Sequence, residues 1–428
     1  MSDTLKELLV QEKVIVCVIG LGYTGVPLAE AFSKSFKVIG FDTDVDKVKE
    51  LSQSRHIRNL FFTDNDKEMS KADFIIVCVP TPVTKSKEPD LSHIRSAVEI
   101  VGRNMKEGAV VILESTVYPG VTEDIVKPIL ERQSGRRCGD GFKIAYSPER
   151  INPGDPEHSI ERITKVIAGM DEETTELVAQ LYRKVTPHIY RAKDIKTAEA
   201  AKVIENIQRD LNIALVNELA IIFSKIGLST KDVLDAAETK WNFHRYSPGL
   251  VGGHCIPVDP YYLVYKAREL GYHTQVILTG RAINDYMPKH VAQMTIKALN
   301  DVGKVIKDSR VLILGLTYKE NVADIRETPV KEIIRELGEF GVEVRGFDPV
   351  LSGEDFESEL GIKLLRDLEE AKNMKPDCVI LAVAHPAFHK LSLRDLRKMQ
   401  NKHPILIDVR GLFNPEDAKK AGFYYRTL

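Results

Sequence analysis

Apolar positions along this chain fall into two similar patterns separated by a different one. In the first half, uninterrupted apolar runs at residues 14–20, 37–42, 73–79 and 109–114 alternate with stretches at 26–35 and 44–52 whose apolar residues recur at helical spacing. Unbroken runs are the mark of strands covered on both faces, so this part predicts a parallel sheet between helices, a doubly wound Rossmann-like domain. From 194 to 225 the pattern changes: Ala198, Ala201, Ile204, Leu211, Leu215, Leu219 and Ile222 keep helical spacing, and no Gly or Pro interrupts them. That predicts one helix of about 45 Å, long enough to span a domain junction or a subunit interface. Helices continue to about residue 302, around a Gly-rich loop at 247–259. Strand-like stretches at 310–315, 342–348, 377–384 and 405–409, with a helix at 330–340, then restart the alternation. The expected fold class is α/β. An N-terminal Rossmann-like domain spans 1–193, a central all-helical domain with one long helix spans 194–304, and a second, smaller Rossmann-like domain spans 305–428.

Composition narrows the classes. At 428 residues, 43% hydrophobic and 29% charged, the chain reads as a soluble globular protein of several domains. Sixty Lys and Arg against 62 Asp and Glu leave a net charge of −2. There is thus no overall electrostatic case for nucleic acid or an anionic membrane, although a local basic site for a small anion is compatible with it. The apolar runs fall far short of the roughly 18 residues of a membrane span, and residues 1–13 lack the apolar core of a secretory signal. Cys17, Cys78, Cys138, Cys255 and Cys378 are odd in number and form no CxxC pair. They therefore point away from a disulfide framework and from a metal site, and towards a reducing cytoplasm.

Three segments carry candidate chemistry. Gly20-Leu-Gly22-Tyr23-Thr24-Gly25 follows the first strand and opens a helix. Gly20 permits the tight turn, Gly22 lets backbone approach a pyrophosphate, and Gly25 lets helix and strand pack closely. Asp42 ends the second strand where a carboxylate would hold ribose hydroxyls, and its charge favours NAD over NADP. Gly252-Gly-His-Cys255-Ile-Pro-Val-Asp259-Pro260 places a thiol between glycines, which leave room for a ligand, and a helix start with Asp259 as N-cap and Pro260 at the first position. Cys255 reads as a nucleophile or as a small buried residue, and Asp259 as a catalytic carboxylate or only a cap. Lys319, Arg326 and Arg410, near strand ends, fit a second phosphate-bearing ligand or solvated surface charge. Thr116 beyond a strand, Glu149 and Arg150 in a loop, and Lys202 with Asn206 four residues apart on the long helix are each, taken alone, structural or functional.

The order of motifs settles more than any one of them. GLGYTG is followed by VPTP at 79–82, ESTVYPG at 114–120, YSPERINPGD at 146–155, AEAAKVIEN at 198–206, GGHCIPVDP at 252–260 and GLTYKENVADIRETP at 315–329. Over essentially its whole length the chain resembles the UDP-glucose/GDP-mannose dehydrogenase family. Val258 stands where UDP-glucose enzymes carry Lys, and Tyr261-Tyr262 is similar to the UDP-N-acetylglucosamine and UDP-N-acetylgalactosamine 6-dehydrogenases, with the UDP-N-acetylmannosamine type next. The resemblance implies a four-electron oxidation of the sugar C6 by two NAD, through a Cys255 thiohemiacetal and thioester. It implies Lys202 and Asn206 at the developing oxyanion, and Asp259, Glu149 or Thr116 as base or water-orienting group. It assigns Gly20, Gly22, Tyr23, Thr24, Gly25, Asp42, Pro80, Thr81 and Thr116 to the cofactor. Glu149, Arg150, Lys202, Asn206, Gly252, Lys319 and Arg410 fall to the substrate. It further implies a homodimer through the central helices. A two-electron dehydrogenase of a smaller hydroxy acid and a non-catalytic NAD or nucleotide-sugar sensor remain as alternatives.

Overall fold

A computed structural model describes residues 2–151 and 156–428, so the last four positions of the YSPERINPGD segment lie outside the described residues. The chain forms two compact units, Met1–Asn206 with Val258–His273, and Ile207–Pro257 with Thr274–Leu428. The long helix, Ile195–Ile226, begins in the first unit and ends in the second, as a continuous run without Gly or Pro allows.

The first unit is built on eight strands: β1 (Ile15–Ile19), β2 (Lys37–Phe41), β3 (Leu60–Thr63), β4 (Phe74–Val77), β5 (Ala109–Leu113), β6 (Phe142–Tyr146), β7 (Lys165–Gly169) and β8 (Ile189–Arg191). They lie in the order β3-β2-β1-β4-β5-β6-β7-β8, with the reversal at β1/β4 that marks a nucleotide-binding sheet. The central strands are buried along their length, as their unbroken apolar runs predict. One pairing departs from the all-parallel expectation: β7 runs antiparallel to β6, with Tyr146 opposite Ala168. The run that forms β7 ends at Gly169 and is preceded by charged, irregular sequence, so periodicity alone does not reveal its direction.

The second unit carries six parallel strands: β9 (Arg310–Leu314), β10 (Glu343–Phe347), β11 (Lys363–Leu364), β12 (Cys378–Leu381), β13 (Ile405–Asp408) and β14 (Tyr424–Thr427), ordered β11-β10-β9-β12-β13-β14. The helix Val276–Asp301 and the later turns of the long helix pack on it through Met287, Val291, Leu299 and Ala220.

The two sheets are secured alike. Asp73, at the start of β4, accepts the backbone N–H of Ile15 at 2.8 Å and pairs with Lys106; Asp377, before β12, accepts that of Arg310 at 2.9 Å and pairs with Lys304. Asp42 accepts the N–H of Leu21 at 2.8 Å, and Asp348 that of Leu316 at 2.7 Å. In the second sheet Asp348 is also met by His385 and Thr317. The fold class read from the sequence is the observed one: parallel sheets at both ends and helices between.

Candidate active site

At the carboxyl end of β1 the chain turns through Gly20, whose φ of +91° suits glycine and where a Cβ would lie 2.9 Å from the Cys78 carbonyl oxygen. A Cβ on Gly25 would stand 1.9 Å from the Gly20 carbonyl oxygen, so the helix Gly25–Ser33 can start there only with glycine. Nothing lies within 4 Å of a Cβ built on Gly22, Thr24 makes no side-chain cap, and the Val26 N–H donates to the Gly22 carbonyl at 3.2 Å. Tyr23 is exposed beside them. Burial works to raise the Asp42 carboxyl, but hydrogen bonds from Lys47, Asp44 and Leu21 outweigh it and hold the group below the usual carboxylate range. Pro80 is exposed and Thr81 half-buried, its carbonyl oxygen accepting the Tyr262 hydroxyl at 2.7 Å. Backbone donors for a pyrophosphate and an ionised carboxylate at the ribose position fit NAD.

Further residues of the first unit converge beside the long helix. Asn206 Nδ2 donates to Asp259 Oδ2 at 2.5 Å. Asp259 is 2% exposed and its pKa is pushed up to about 6 by burial, against the opposing pull of the Lys202 charge and the Asn206 hydrogen bond. Lys202, 7% exposed, therefore acts on Asp259 in a site that water barely reaches. Here the sequence reading is corrected: Val258 occupies the cap position of the helix Asp259–Glu269 and Pro260 its second residue. Asp259 lies inside the first turn, and its carboxylate is taken by Asn206 instead of by backbone N–H groups.

Thr116 is half-buried just past β5, behind Ser115, whose hydroxyl donates to the Val79 carbonyl at 2.7 Å. Glu149 uses Oε1 to accept the Ile151 N–H, while its Oε2 is buried with no hydrogen-bond partner among the described residues. Arg150 pairs with Glu205 at 2.9 Å and donates to the Thr164 carbonyl at 2.7 Å, which ties its loop to the helix turn holding Asn206. Glu199, one turn before Lys202, accepts from the N–H groups of Gly120 and Thr122 and from the Thr122 hydroxyl. It binds the segment after Thr116 to the same helix.

Cys255 belongs to the second unit and is exposed. Its loop rests on residues 318–329. Gly253 N–H donates to the Glu327 carbonyl at 3.2 Å, and His254 Nε2 lies 3.2 Å from Asp324, which also holds Arg326 at 2.7 Å. The two glycines have a different reason from the one their sequence suggests. A Cβ on Gly252 would stand 2.6 Å from Pro329 Cδ and 2.8 Å from the Glu327 carbonyl oxygen, and one on Gly253 2.8 Å from the Tyr318 ring. Both glycines are therefore required by packing against the protein's own residues. Lys319 is half-buried next to Glu320, which pairs with Arg410 at 3.7 Å. Arg410 in turn lies over Gly249, where a Cβ would touch its Nη1 at 2.8 Å. Lys319, Arg410 and the glycine loop are thus one neighbourhood, whereas Arg326 is committed to Asp324.

Sequence reasoning passed over Asn217. It is fully buried, accepts the Gly249 N–H at 2.8 Å, donates to the Gly249 carbonyl at 3.0 Å, and meets Asn284 at 2.8 Å. A lone Asn on a long helix carries no signal in a single sequence. Asn217→Ala is expected to destabilise the chain by about 1–3 kcal/mol for each buried Gly249 group left unpaired, read as a lower midpoint in urea unfolding.

Comparison with known proteins gives a consistent picture. Residues 14–186 match the NAD binding domain of the UDP-glucose/GDP-mannose dehydrogenase family, 196–286 its central domain and 312–415 its UDP binding domain. A UDP-N-acetyl-D-glucosamine 6-dehydrogenase of Pseudomonas aeruginosa is 46% identical, the match covering 94% of this chain and 97% of that protein. One from Salmonella typhi is 43% identical over 95% and 98%. Among solved structures, the UDP-D-ManNAc dehydrogenase from Pyrococcus horikoshii superposes with a TM-score of 0.87 at 30% identity, covering 96% of this chain and 98% of that one.

Proposed function

Because the chain belongs to the UDP-glucose/GDP-mannose dehydrogenase family, we propose that it oxidises the C6 hydroxymethyl of a UDP-N-acetylhexosamine to the uronate, with UDP-N-acetylglucosamine or UDP-N-acetylgalactosamine favoured. It is an NAD-dependent oxidoreductase of nucleotide sugars. The relatives named for UDP-N-acetyl-D-glucosamine, alike over nearly their whole length, support the choice of sugar. The observation that carries the chemistry is the cluster of buried Lys202 and Asp259 with half-buried Asn206: a cation, a carboxylate of raised pKa and an amide in a nearly dry setting.

Gly20, Gly22, Tyr23, Thr24 and Gly25 with Asp42, Pro80, Thr81 and Thr116 would hold NAD, which when bound would supply the hydride acceptor for each of the two oxidations. The C6 hydroxyl passes its proton to a carboxylate base, Asp259 or Glu149, while Lys202 stabilises the alkoxide that forms and Asn206 orients the same oxygen. Cys255 captures the aldehyde carbon as a thiohemiacetal, keeping it on the protein between oxidations, and holds it as a thioester after the second. Asp259, Glu149 or Thr116 orients the water that releases the carboxylate. The buried Glu149 oxygen, with no hydrogen-bond partner among the described residues, supports a ligand or water at that place. Arg150, Gly252, Lys319 and Arg410 take the sugar and the diphosphate.

The reading includes a homodimer, supported by Leu215, Ile222, Ile226 and the 91% exposed Trp241 on the helical region, and a cytoplasmic setting, supported by five cysteines with no disulfide among them. No helix among the described residues is long and apolar enough to cross a membrane.

The test is NADH released per sugar on UDP-N-acetylglucosamine, UDP-N-acetylgalactosamine, UDP-N-acetylmannosamine and UDP-glucose. About two NADH per sugar with an acidic product is expected on one of the first two. Preference for UDP-N-acetylmannosamine or UDP-glucose would move the sugar assignment. One NADH per sugar would overturn the thioester route, and NAD binding without turnover on any sugar would favour a sensor.

A further inference from the structure

The antiparallel strand β7 has a consequence for the residues around Glu149. Because it runs back alongside β6, the chain leaving Tyr146 continues past the first residues of β7. Ser147 Oγ donates to the Val166 carbonyl at 3.0 Å, Lys165 Nζ to the Pro148 carbonyl at 3.0 Å, and Arg150 to the Thr164 carbonyl at 2.7 Å. Of these, Lys165 stands apart. It is fully buried, and its ammonium also pairs with Glu114 Oε2 at 2.9 Å and lies 5.1 Å from the centre of the Tyr182 ring. Tyr182, also fully buried, donates its hydroxyl to the other Glu114 oxygen. Glu114 begins the segment that carries Thr116, and Pro148 directly precedes Glu149.

A buried lysine needs its charge answered. Glu114 answers it. The carbonyl of Pro148 adds nothing to that balance of charge, yet it takes one of only three ammonium protons. The geometry therefore does two jobs: it neutralises a buried pair and it fixes one loop to another. We propose that Lys165 is a positioning residue for the reaction, its ammonium locking the Glu149 loop to the strand end that carries Thr116. This rests on the role assigned above to Glu149 and Thr116, and it goes beyond that role by naming what holds the two in one frame.

Lys165→Met alone strands a buried carboxylate and can fail to fold. The decisive variant is Lys165→Met/Glu114→Gln, which removes both charges together and leaves a neutral pair. Two readouts on the full chain are compared with wild type. Hydrogen exchange of the peptide covering 147–151 is expected to accelerate, a result independent of catalysis. The kcat for the sugar oxidised by the wild type is expected to fall by roughly 10²-fold, with the KM for NAD and the melting temperature close to wild type. Unchanged exchange at 147–151, or wild-type kcat in the double variant, overturns the inference and shows Lys165 to be only the neutraliser of Glu114. Absence of turnover in the wild type itself overturns the proposed reaction, and the exchange measurement still decides whether Lys165 locks the loop.

Discussion

Cys255→Ala is expected to stop uronate formation while leaving NAD binding intact. The thiol is exposed on a loop built from residues of the second unit, so its removal opens no cavity and disturbs no core. The turn at 20–25, proposed to hold NAD, belongs to the first unit and is untouched. Without the sulfur, the aldehyde has no covalent anchor after the first oxidation, and the second needs a tetrahedral adduct that the chain no longer makes. Loss of a nucleophile that acts in a concerted set costs on the order of 10⁴-fold or more in kcat. The checks are carboxylate product by mass spectrometry and NADH per sugar, which should fall to about one or below. Uronate production at the wild-type rate would sink the covalent route.

Lys202→Met is expected to lower kcat by roughly 10²–10³-fold, the scale of removing one donor from a developing oxyanion. It should also displace the pH profile in a defined direction. Burial raises the Asp259 carboxyl to about 6, and the Lys202 charge and the Asn206 hydrogen bond already restrain that rise. In wild type, kcat/KM should therefore fall as pH drops through about 6, where Asp259 takes up its proton. With the Lys202 charge gone, the same fall should come at higher pH. Stability moves the opposite way. Since native Asp259 binds its proton more firmly than it does in the unfolded chain, its contribution is complete below the ordinary Asp range and is lost as pH rises through about 6. The acid that ends catalysis should thus not, through this residue, weaken the fold. An unmoved acid limb in Lys202→Met would separate Asp259 from the chemistry.

Much of this was legible in the chain because the informative residues come in patterns. Apolar runs of 310–314 or 109–113 can only be strands covered on both faces, and 32 residues at helical spacing without Gly or Pro can hardly be anything but one helix. The GLGYTG turn is equally plain, because Gly20 and Gly25 answer to separate steric demands while Gly22 leaves open space beside the backbone. What stayed hidden depends on long-range pairing. The direction of β7 is set by its neighbour β6, not by its own composition. Asp259 followed by Pro260 has the local form of a helix cap, and only Asn206, 53 residues earlier, shows that the carboxylate is used elsewhere. Lys165 and Asn217 are single polar residues whose burial appears only when distant segments come together.

The contacts of Gly252 and Gly253 set a limit on how such a chain can change. Tyr318, Glu327 and Pro329 stand where side chains on the two glycines would be, and Glu327 itself adopts a left-handed backbone, φ +52°, to offer its carbonyl to Gly253. A side chain on Gly252 meets Pro329 and the Glu327 backbone, neither of which can swing aside, and one on Gly253 meets the Tyr318 ring at a φ of +90° that suits glycine. The two stretches are therefore bound to vary together, and an evolutionary or laboratory path to a different sugar has to pass through residues outside this pair.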